Sequence, residues 1–539
     1  MKKNKALTIQ KLLSTLCAIF IANLYLSAEV QLPTINPTQF LITDYGASTS
    51  SADNAKAINA AISAAIANGG GTVVFPAGTF LSGPISIPSG NTKPLNLYLC
   101  KGDTLRMLPY GTYVGSTNFI YIQNCSDVAI TGTGVIEGDG AAWWDAYNKK
   151  IISSRPQMVR FKACHRVLVD SITLRNAPNV HLTMGQSSTM GDNATISNIT
   201  VYADVPSPNT DCIDTWWWDG INIVNCDLSG GDDNIAMDSY TKNISIKHCT
   251  FGRGIVNGAS TGHGCSIGSY TIAIQNVTVD SCTFNGIDYG IRIKSDRDRS
   301  GNGTNAVQNL SYSNLTMTNI TKSPIYMTCY YNTKDPVSRP DTVTARTVTT
   351  STPQYRNITF KNITSAGSVP VMALYGLPEM HISDVVLDNV QLSSTSGTAG
   401  VYVAYVDGLT FKNCSSISYS KNVKAIVQNN YYPCQSTISG IDFNTGESTD
   451  CVTGIITPPA IRSVSCCPNP VTTGNLIITA EDPIDKATIY SLIGSCVKVI
   501  SGDGATQLSV DMNDVPEGYY FVKVTGTNLA SATLKVLKR

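Results

Sequence analysis

The feature that most constrains the fold of this chain is a degenerate repeat. The segments DGINIVNCDLSG (219–230), KNISIKHCTFGR (242–253) and IQNVTVDSCTFNG (274–286) each contain a short β-branched strand, a polar corner and a second apolar pair. A variable period of about 20–35 residues, with one supersecondary unit in each repeat, is typical of a solenoid. Because the repeats contain short strands and no helical pattern, the sequence predicts an all-β fold, a parallel β-helix.

The cysteines recur at one place in this repeat, as at Cys226, Cys249 and Cys282. The chain has 16 cysteines and no Cys-x-x-Cys pair, which argues against a zinc site. We expect the recurring cysteines to stack from coil to coil as free thiols, about 4.8 Å apart. Disulfides are the alternative, because an exported chain can form them.

The N-terminus predicts export. It has a basic start, an apolar run from about Leu12 to Leu26, and small residues at Ser27 and Ala28, the pattern of a secretory signal over residues 1–28. Asn23 interrupts a run that is shorter than the roughly 20 apolar residues of a membrane helix, and no later segment is long enough. We therefore expect a secreted or surface-attached monomer without a membrane span.

Charge argues against some partners. The formal net charge is zero and only 14% of the residues are charged, so bulk charge would not hold nucleic acid or an anionic membrane.

A solenoid must cover its open end, and one helix is predicted for this. Ile58, Ile62 and Ile66 recur at helical spacing, Ser51 or Asp53 can cap the start, and the glycines at 69–71 end the helix. The Thr-rich stretch 335–354 interrupts the repeat and is predicted to be a long loop.

The composition changes after two prolines at 458–459. We predict a β-helix domain over 29–457, a linker over 458–465 and a small antiparallel β-sandwich over 466–539. The order of PNP, IYSLIG and VPEGYYFVKV in this last segment resembles the C-terminal sorting domain of type IX secretion substrates. The resemblance implies a contact with that secretion machinery, and a carbohydrate-binding or interaction sandwich is the alternative.

Four short signals follow one another at coil-like spacing. They are NTD with Asp211, GDD with Asp232 and Asp233, GHG with His263, and RIK with Arg292. Residues one solenoid turn apart can lie on the same face of successive coils. Each signal also has a structural reading, since an Asp can cap a turn and a His between glycines can be a loop residue; the argument rests on the four in order.

The residue types in these signals fit the hydrolysis of an acidic glycoside. Crowding raises the pKa of at least one carboxyl group, so one group remains an acid while another stays ionised, as glycosidic hydrolysis requires. The two glycines before Asp232 and Asp233 would permit the bend that turns both side chains to one face. Arg292 and Lys294 are two apart and share a face, where they can bind a substrate carboxylate.

NTD, GDD, GHG and RIK, in this order, resemble the signatures of glycoside hydrolase family 28, the polygalacturonases. The resemblance extends over about 29–440 and includes ITDYGA (42–47), GVIEGDGAAWW (134–144) and RPQMVRFKACHRVLVDSITLRNAP (155–178). It implies a right-handed parallel β-helix and an inverting hydrolysis of α-1,4-linked galacturonan in pectin, without a cofactor or metal.

The resemblance also implies catalytic roles. Asp232 would be the general acid, Asp211 and Asp233 would activate the water, and His263 would help to hold the protonation of the acid. Many members carry a Cys directly after the aspartate pair, where this chain has Asn234, so a disulfide known in some members is absent here.

Substrate-binding roles follow in the same way. Arg292 and Lys294 would bind galacturonate carboxylates, and Asn209 would orient Asp211. The substrate-binding Tyr of the family has no clear counterpart; Tyr326 is the candidate, but the register could equally place Ser323 there.

Three alternatives remain at this stage. They are a rhamnogalacturonan or xylogalacturonan hydrolase on the same scaffold, a calcium-dependent pectate lyase, and a polysaccharide-binding solenoid adhesin without activity. The sequence does not decide between endo and exo cleavage, and it does not give the tolerance of methyl esters.

Overall fold

The chain forms two compact units, divided between Val452 and Thr453. The computed structural model describes residues 30–115, 117–185, 188–333, 335, 343–366, 372–393, 401–412, 414, 426–428, 461, 463–472, 474–491, 496–526 and 531–539. The predicted signal (1–28) and part of the predicted linker (458–465) lie outside these residues. No helix in this part of the chain is long and apolar enough to cross a membrane.

The first unit is a parallel β-helix in which successive coils stack into three ladders of parallel strands. One ladder, called the site sheet below, has twelve strands: Ile85–Ile87, Asn118–Gln123, Gln157–Lys162, Leu182–Gly185, Ile213–Trp216, Asp233–Met237, His263–Ile267, Tyr289–Lys294, Ser323–Thr328, Met372–Tyr375, Val401–Ala404 and Ile426–Gln428. All of its pairings are parallel, as the repeat predicts.

The other two ladders close the coil. The second ladder contains Gln39–Leu41, Gly71–Phe75, Leu95–Leu99, Ser126–Gly132, His165–Asp170, Gly191–Ser197, Trp218–Val224, Thr241–Lys247 and Gln275–Asp280. The third contains Gly78–Ser82, Asp103–Met107, Val135–Glu137, Thr173–Arg175, Thr200–Tyr202, Asp227–Ser229, Thr250–Phe251 and Thr283–Asn285. Long strands then span both: Val307–Thr318, Tyr355–Ala366 and Ile382–Ser393, followed by Val406–Asp407 and Thr410–Lys412.

Apolar side chains and thiols fill the interior of the coils. Cys226, Cys249 and Cys282 are buried on neighbouring coils, and the backbone N–H of Cys249 donates to Sγ of Cys282 at 3.4 Å. The described cysteines are all free, in agreement with the expectation of stacked thiols.

The polar corners of the repeat are explained by backbone conformation. Asn243, Asn276, Asn309 and Asn357 have φ of 56°, 59°, 61° and 56°, the left-handed region that Asn tolerates better than most residues. Their side-chain amides donate along the stack at 2.8, 3.0 and 3.3 Å. One conformational requirement, repeated in every coil, therefore produces the recurring Asn.

The N-terminal helix spans Ala55–Ala67 and buries Ile58 and Ile62, as predicted. Asp53 accepts from the N–H of Ala55 at 2.8 Å and so satisfies one of the free donors at the helix start. A second helix, Ala141–Asn148, was not predicted from the sequence. Short 3-10 segments cover Ile42–Tyr45 and Gly303–Asn305.

The second unit is an antiparallel β domain with its own hydrophobic core. Its five strands are Ser465–Cys467, Asn475–Ser491, Cys496–Asp511, Gly518–Gly526 and Ser531–Lys538. They pair antiparallel, with register shifts between Thr479 and Lys486, and they bury residues such as Ile489 and Val522.

Candidate active site

The predicted site residues lie on neighbouring strands of the site sheet. Its strands alternate between side chains inside the coil, such as Ile235, Cys265 and Ile291, and side chains on the outer face. The pairing register places one outer row side by side across five strands: Asp214, Ala236, Ser266, Arg292 and Tyr326. The sheet therefore brings the GDD, GHG and RIK segments together, while Asp211 lies just before the Ile213–Trp216 strand.

Asp233 is the centre of the cationic part of the site. Its side chain is almost fully buried, and Lys294 Nζ donates to its Oδ2 at 2.7 Å. Ser266 Oγ donates to its Oδ1 at 2.5 Å, and Arg292 Nη1 lies 3.7 Å from the same oxygen. Donor groups of Lys294, Ser266 and Arg292 therefore surround the Asp233 carboxylate on the outer face of the site sheet.

Asn234 explains how Asp233 can face outward. The Asn234 side chain is fully buried, and its Oδ1 accepts from the N–H of Gly230 at 2.7 Å. Its Nδ2 donates to the carbonyl of Thr261 at 3.3 Å, and Cys212 Sγ lies 3.4 Å from Oδ1. The amide thus ties the turn to both adjacent coils, at the position where many family members have a Cys.

The glycines of the GGDD and GHG segments allow close approach between coils. A Cβ on Gly231 would lie 2.2 Å from the carbonyl oxygen of Ser207, so any side chain would clash there. Gly262 has a φ of 80°, and a Cβ on it would lie 2.0 Å from the carbonyl oxygen of Asp232. Neither glycine of GGDD has a left-handed backbone. Their role is therefore close packing, and the predicted conformational freedom at this bend is not used.

The two adjacent aspartates have opposite pKa shifts. Burial would raise the pKa of Asp233, but Lys294 and Arg292 outweigh it and hold this pKa well below its ordinary value. For Asp232, burial and then the negative charge of Asp233 raise the pKa. The adjacent aspartates therefore differ in proton affinity, with Asp232 the stronger and Asp233 the weaker proton acceptor.

Further carboxyl groups make the upstream part of the site acidic. Burial raises the pKa of both Asp211 and Asp214, and the negative charges of neighbouring carboxylates raise both pKa values further. Burial also raises the pKa of Asp238 to about 7, although the N–H of Tyr270 donates to it at 3.0 Å. Asp214 and Asp238 were not predicted as site residues; the strand register places Asp214 in the outer row, and Asp238 directly follows the strand Asp233–Met237.

His263 lies between two carboxyl groups. Its Nε2 is 3.9 Å from Asp232 Oδ1, and its Nδ1 is 3.8 Å from Asp288 Oδ2. Burial lowers the pKa of His263 to about 4, so the ring is neutral near neutral pH. Both distances exceed a direct hydrogen bond. Asp288, which the sequence did not indicate, is held in turn by Lys322 Nζ at 2.7 Å.

Asn209 contacts a different aspartate from the one expected. Its Nδ2 donates to Asp232 Oδ2 at 3.4 Å, whereas the sequence predicted that it would orient Asp211. Arg155 Nη2 donates to its Oδ1 at 2.8 Å, and Arg155 also donates to the carbonyl oxygens of Pro178 and Pro208. The hydrogen bond expected to Asp211 is therefore replaced in the structure by one to Asp232, and Asn209 itself has a left-handed φ of 52°.

The main chain of Asp211 is fixed by a buried histidine. The N–H and the Nδ1 of His181 lie 2.9 and 3.0 Å from the carbonyl oxygen of Asp211. Burial lowers the pKa of His181 to about 4, so this imidazole is neutral near neutral pH. Its Nδ1 faces the carbonyl oxygen of Asp211 and its Nε2 lies 3.1 Å from that of Tyr202, and the nitrogen that carries the proton donates. His181 is therefore a positioning residue that sequence reasoning missed.

The register decides between the two candidates for the downstream substrate-binding residue. Tyr326 pairs with Arg292, whereas Ser323 pairs with Tyr289 and is fully buried. Tyr326 thus belongs to the outer row beside Arg292, and its ring lies 5.0 Å from that of Tyr289. The Arg292 guanidinium stands 4.8 Å from the Tyr289 ring.

One group in this part of the chain has the composition of a cation site. Ligand atoms of Asp232, Asp233 and His263 all lie within 4.8 Å of one another. The ammonium of Lys294 already neutralises Asp233, which leaves little charge to attract a metal. The absence of a metal stays a prediction.

Two families of known proteins match the chain, one in each of its two compact units. The profile of the glycosyl hydrolases family 28 matches residues 70–406, and that of the secretion system C-terminal sorting domain matches residues 465–539. An endo-polygalacturonase of Pectobacterium carotovorum subsp. carotovorum is 33% identical over 349 residues, which are 59% of this chain and 78% of the relative. The sorting domain indicates type IX secretion to the cell surface or the extracellular space.

Two solved structures share the fold of the first unit. The family 28 exopolygalacturonase of Yersinia enterocolitica aligns with a TM-score of 0.55 at 18% identity, over 74% of this chain and 79% of its own. The exopolygalacturonase of Thermotoga maritima aligns with a TM-score of 0.53 at 19% identity, over 71% and 94%.

Proposed function

The chain belongs to glycoside hydrolase family 28, and we propose that it hydrolyses the α-1,4-galacturonosidic bonds of polygalacturonate with inversion. The observation that carries the proposal is the opposite pKa shift of Asp232 and Asp233 beside Arg292 and Lys294. An acid, a base and two cations in one groove are what the hydrolysis of a uronic acid polymer needs.

Asp232 is the general acid of the proposed mechanism. Its raised pKa keeps a proton available for the oxygen of the leaving sugar. Asn209 donates to one oxygen of the Asp232 carboxyl group, and His263 lies beside the other. These neighbours leave the proton free to point towards the substrate.

Asp233 and Asp211 activate the water. Asp233 is the ionised member because Lys294 and Arg292 stabilise its charge, and an ionised carboxylate has the lone pair that can accept a proton from the water. The raised pKa of Asp211 suits a group that holds the water by a hydrogen bond. The sequence assigned both residues to the water; the electrostatics favour Asp233 as the base.

Arg292 and Lys294 bind the carboxylate of the sugar beside the scissile bond. Arg292 Nε is buried without a hydrogen-bond partner among the described residues, so a donor is available for a ligand. Lys294 uses one N–H on Asp233, and an ammonium has two more. Tyr326, next to Arg292, offers an aromatic face to the sugar.

The experiment is a digestion of polygalacturonate with and without a chelator, followed by ¹H NMR of the first products. We expect chelator-insensitive release of saturated ends whose new anomeric centre has the β configuration. Products with retained configuration would contradict inversion, and unsaturated ends lost with the chelator would indicate a lyase.

A panel of pectins separates the remaining alternatives. Faster turnover of a rhamnogalacturonan or xylogalacturonan than of polygalacturonate would contradict the substrate. Binding to pectin without any turnover would favour a polysaccharide-binding solenoid. Sizing of early products then distinguishes endo cleavage, which gives a ladder, from exo cleavage, which gives short sugars only.

A further inference from the structure

The Arg-x-Lys pattern of the active site occurs a second time in the same sheet. VRFK at 159–162 lies on the strand Gln157–Lys162, and IRIK at 291–294 lies on Tyr289–Lys294. Val159 and Phe161 are buried in the coil, whereas Arg160 and Lys162 are partly exposed. Both pairs therefore project from the outer face.

The strand register places both arginines in one row. Arg160 pairs with Thr183 and Thr183 with Asp214, and the row continues through Ala236 and Ser266 to Arg292. Five strand steps separate the two arginines, which is about 24 Å at the usual strand spacing. The second pair is thus in line with the catalytic groove and several sugar units away from it.

Each of the two arginines has a tyrosine beside it, but the neighbours of the two lysines differ in charge. Tyr121 pairs with Arg160, whose guanidinium stands 5.8 Å from the Tyr121 ring, as Tyr326 pairs with Arg292. Lys294 is bound to Asp233, but Lys162 lies opposite the neutral Gln123.

Burial makes this position favourable for an anion. Desolvation lowers the pKa of Arg160, so its guanidinium has already lost part of its hydration. A partly desolvated cation interacts more strongly with an anionic ligand than an exposed one does. Its planar fork also matches a carboxylate.

We propose that Arg160 and Lys162 form a distal subsite that binds a carboxylate of the same galacturonan chain that is cleaved at Asp232. This inference rests on the proposed function. It adds that the protein binds its substrate over several sugar units, from the scissile bond to Arg160 and Lys162. Binding far from the reacting bond stabilises the ground state and the transition state equally, so it lowers KM and leaves kcat unchanged.

The test compares the full-length protein with Arg160→Gln/Lys162→Gln on galacturonate oligomers of increasing length. The control is Lys242→Gln/Lys247→Gln, which removes the same charge from the second ladder. We expect the site variant to raise KM about tenfold for oligomers long enough to reach both arginines, with unchanged kcat and unchanged trimer kinetics.

Binding provides a readout that does not depend on turnover. In affinity electrophoresis with polygalacturonate, Asp232→Asn should be retarded, and the added Arg160→Gln/Lys162→Gln change should reduce this retardation while the control pair does not. Equal KM values of parent and variant for long oligomers, or equal losses on trimer and long oligomers, would overturn the subsite. A parent that binds through Arg160 but cleaves no galacturonan would contradict the proposed function and leave the subsite standing.

Discussion

The two sides of the catalytic groove contain the same residue type in opposite environments. On the downstream side, Asp233 is surrounded by Lys294, Arg292 and the hydroxyl of Ser266. On the upstream side, Asp211 and Asp214 face other carboxyl groups, and their pKa values are raised.

The difference shows that position along the sheet, more than burial, decides which carboxyl group is ionised. Burial would raise the pKa of Asp233 as it does that of Asp214, but the two cations on the strand Tyr289–Lys294, two strands away, reverse the shift. The outer face of the site sheet therefore has carboxyl groups with raised pKa values on one side and an ionised aspartate beside two cations on the other.

The largest expected effect comes from removing the carboxyl group that is proposed as the general acid. Asp232→Asn should lower kcat on polygalacturonate by about 10²–10⁴-fold, because general acid catalysis contributes on this order. Thermal unfolding should show an intact fold. Asp227→Asn, on the third ladder, is the control and should keep parental activity; activity of Asp232→Asn near that of the parent would refute the acid assignment.

Removing a cation should make the environment of Asp233 similar to that of the upstream carboxyl groups. Lys294→Gln leaves Asp233 buried without its closest cation, so the free energy of unfolding at pH 7 should fall by about 3–5 kcal/mol in urea titrations. The pKa of Asp233 is depressed in the fold, so this contribution is present above the ordinary pKa of an aspartate and disappears as pH falls towards the folded value.

The control for this prediction is Lys322→Gln. Lys322 pairs with Asp288 but is half-exposed, so its loss should cost about 1 kcal/mol or less. Equal losses in the two variants, or a Lys294→Gln deficit that does not shrink in acid, would contradict the assigned charge of Asp233.

The raised pKa of Asp238, on the upstream side of the site, can be tested through the pH dependence of the free energy of unfolding. Its pKa is raised from about 4 to about 7, so the folded state binds the extra proton between these values and the stability of the parent falls as pH rises through this window. Asp238→Asn should remove that fall and raise the free energy of unfolding at pH 7 by about 2–4 kcal/mol, measured relative to pH 4. The exposed Asp204→Asn is the control. A parallel pH dependence of parent and Asp238→Asn would contradict the shift.

The smallest effect concerns the contact that differed from expectation. Asn209→Ala removes a long hydrogen bond to Asp232, so kcat should fall about tenfold or less while KM stays near the parental value. Asn225→Ala, at an exposed corner of the coil, should have no effect on either constant. A change confined to KM would place Asn209 on the substrate.

Much of the fold was predictable because the coil imposes one requirement many times. The Asn corners and the stacked cysteines recur in several coils, so even one sequence shows the period. The four site signals were found for the same reason, since they are spaced by whole coils. The helix Ala141–Asn148 interrupts this period once and left no comparable signal.

The contacts inside the site were less predictable because they depend on backbone geometry between coils. Asn209 bonds to Asp232 on the next coil, and the inward turn of Asn234 breaks the alternation of its strand. Asp214 enters the outer row only through the pairing register of its strand with the next coil, and Asp238 lies just beyond the end of that next strand. His181 acts on the main chain of Asp211 and belongs to none of the four signals.

The division of roles between the adjacent aspartates is tested most directly by a change of leaving group. Initial rates would be measured for Asp232→Asn and Asp233→Asn on a trigalacturonide and on the same sugar carrying a nitrophenolate, which departs without a proton. We expect Asp232→Asn to recover most of its activity on the nitrophenyl substrate and Asp233→Asn to stay inactive on both. Recovery by Asp233→Asn, or none by Asp232→Asn, would contradict the assignment of acid and base.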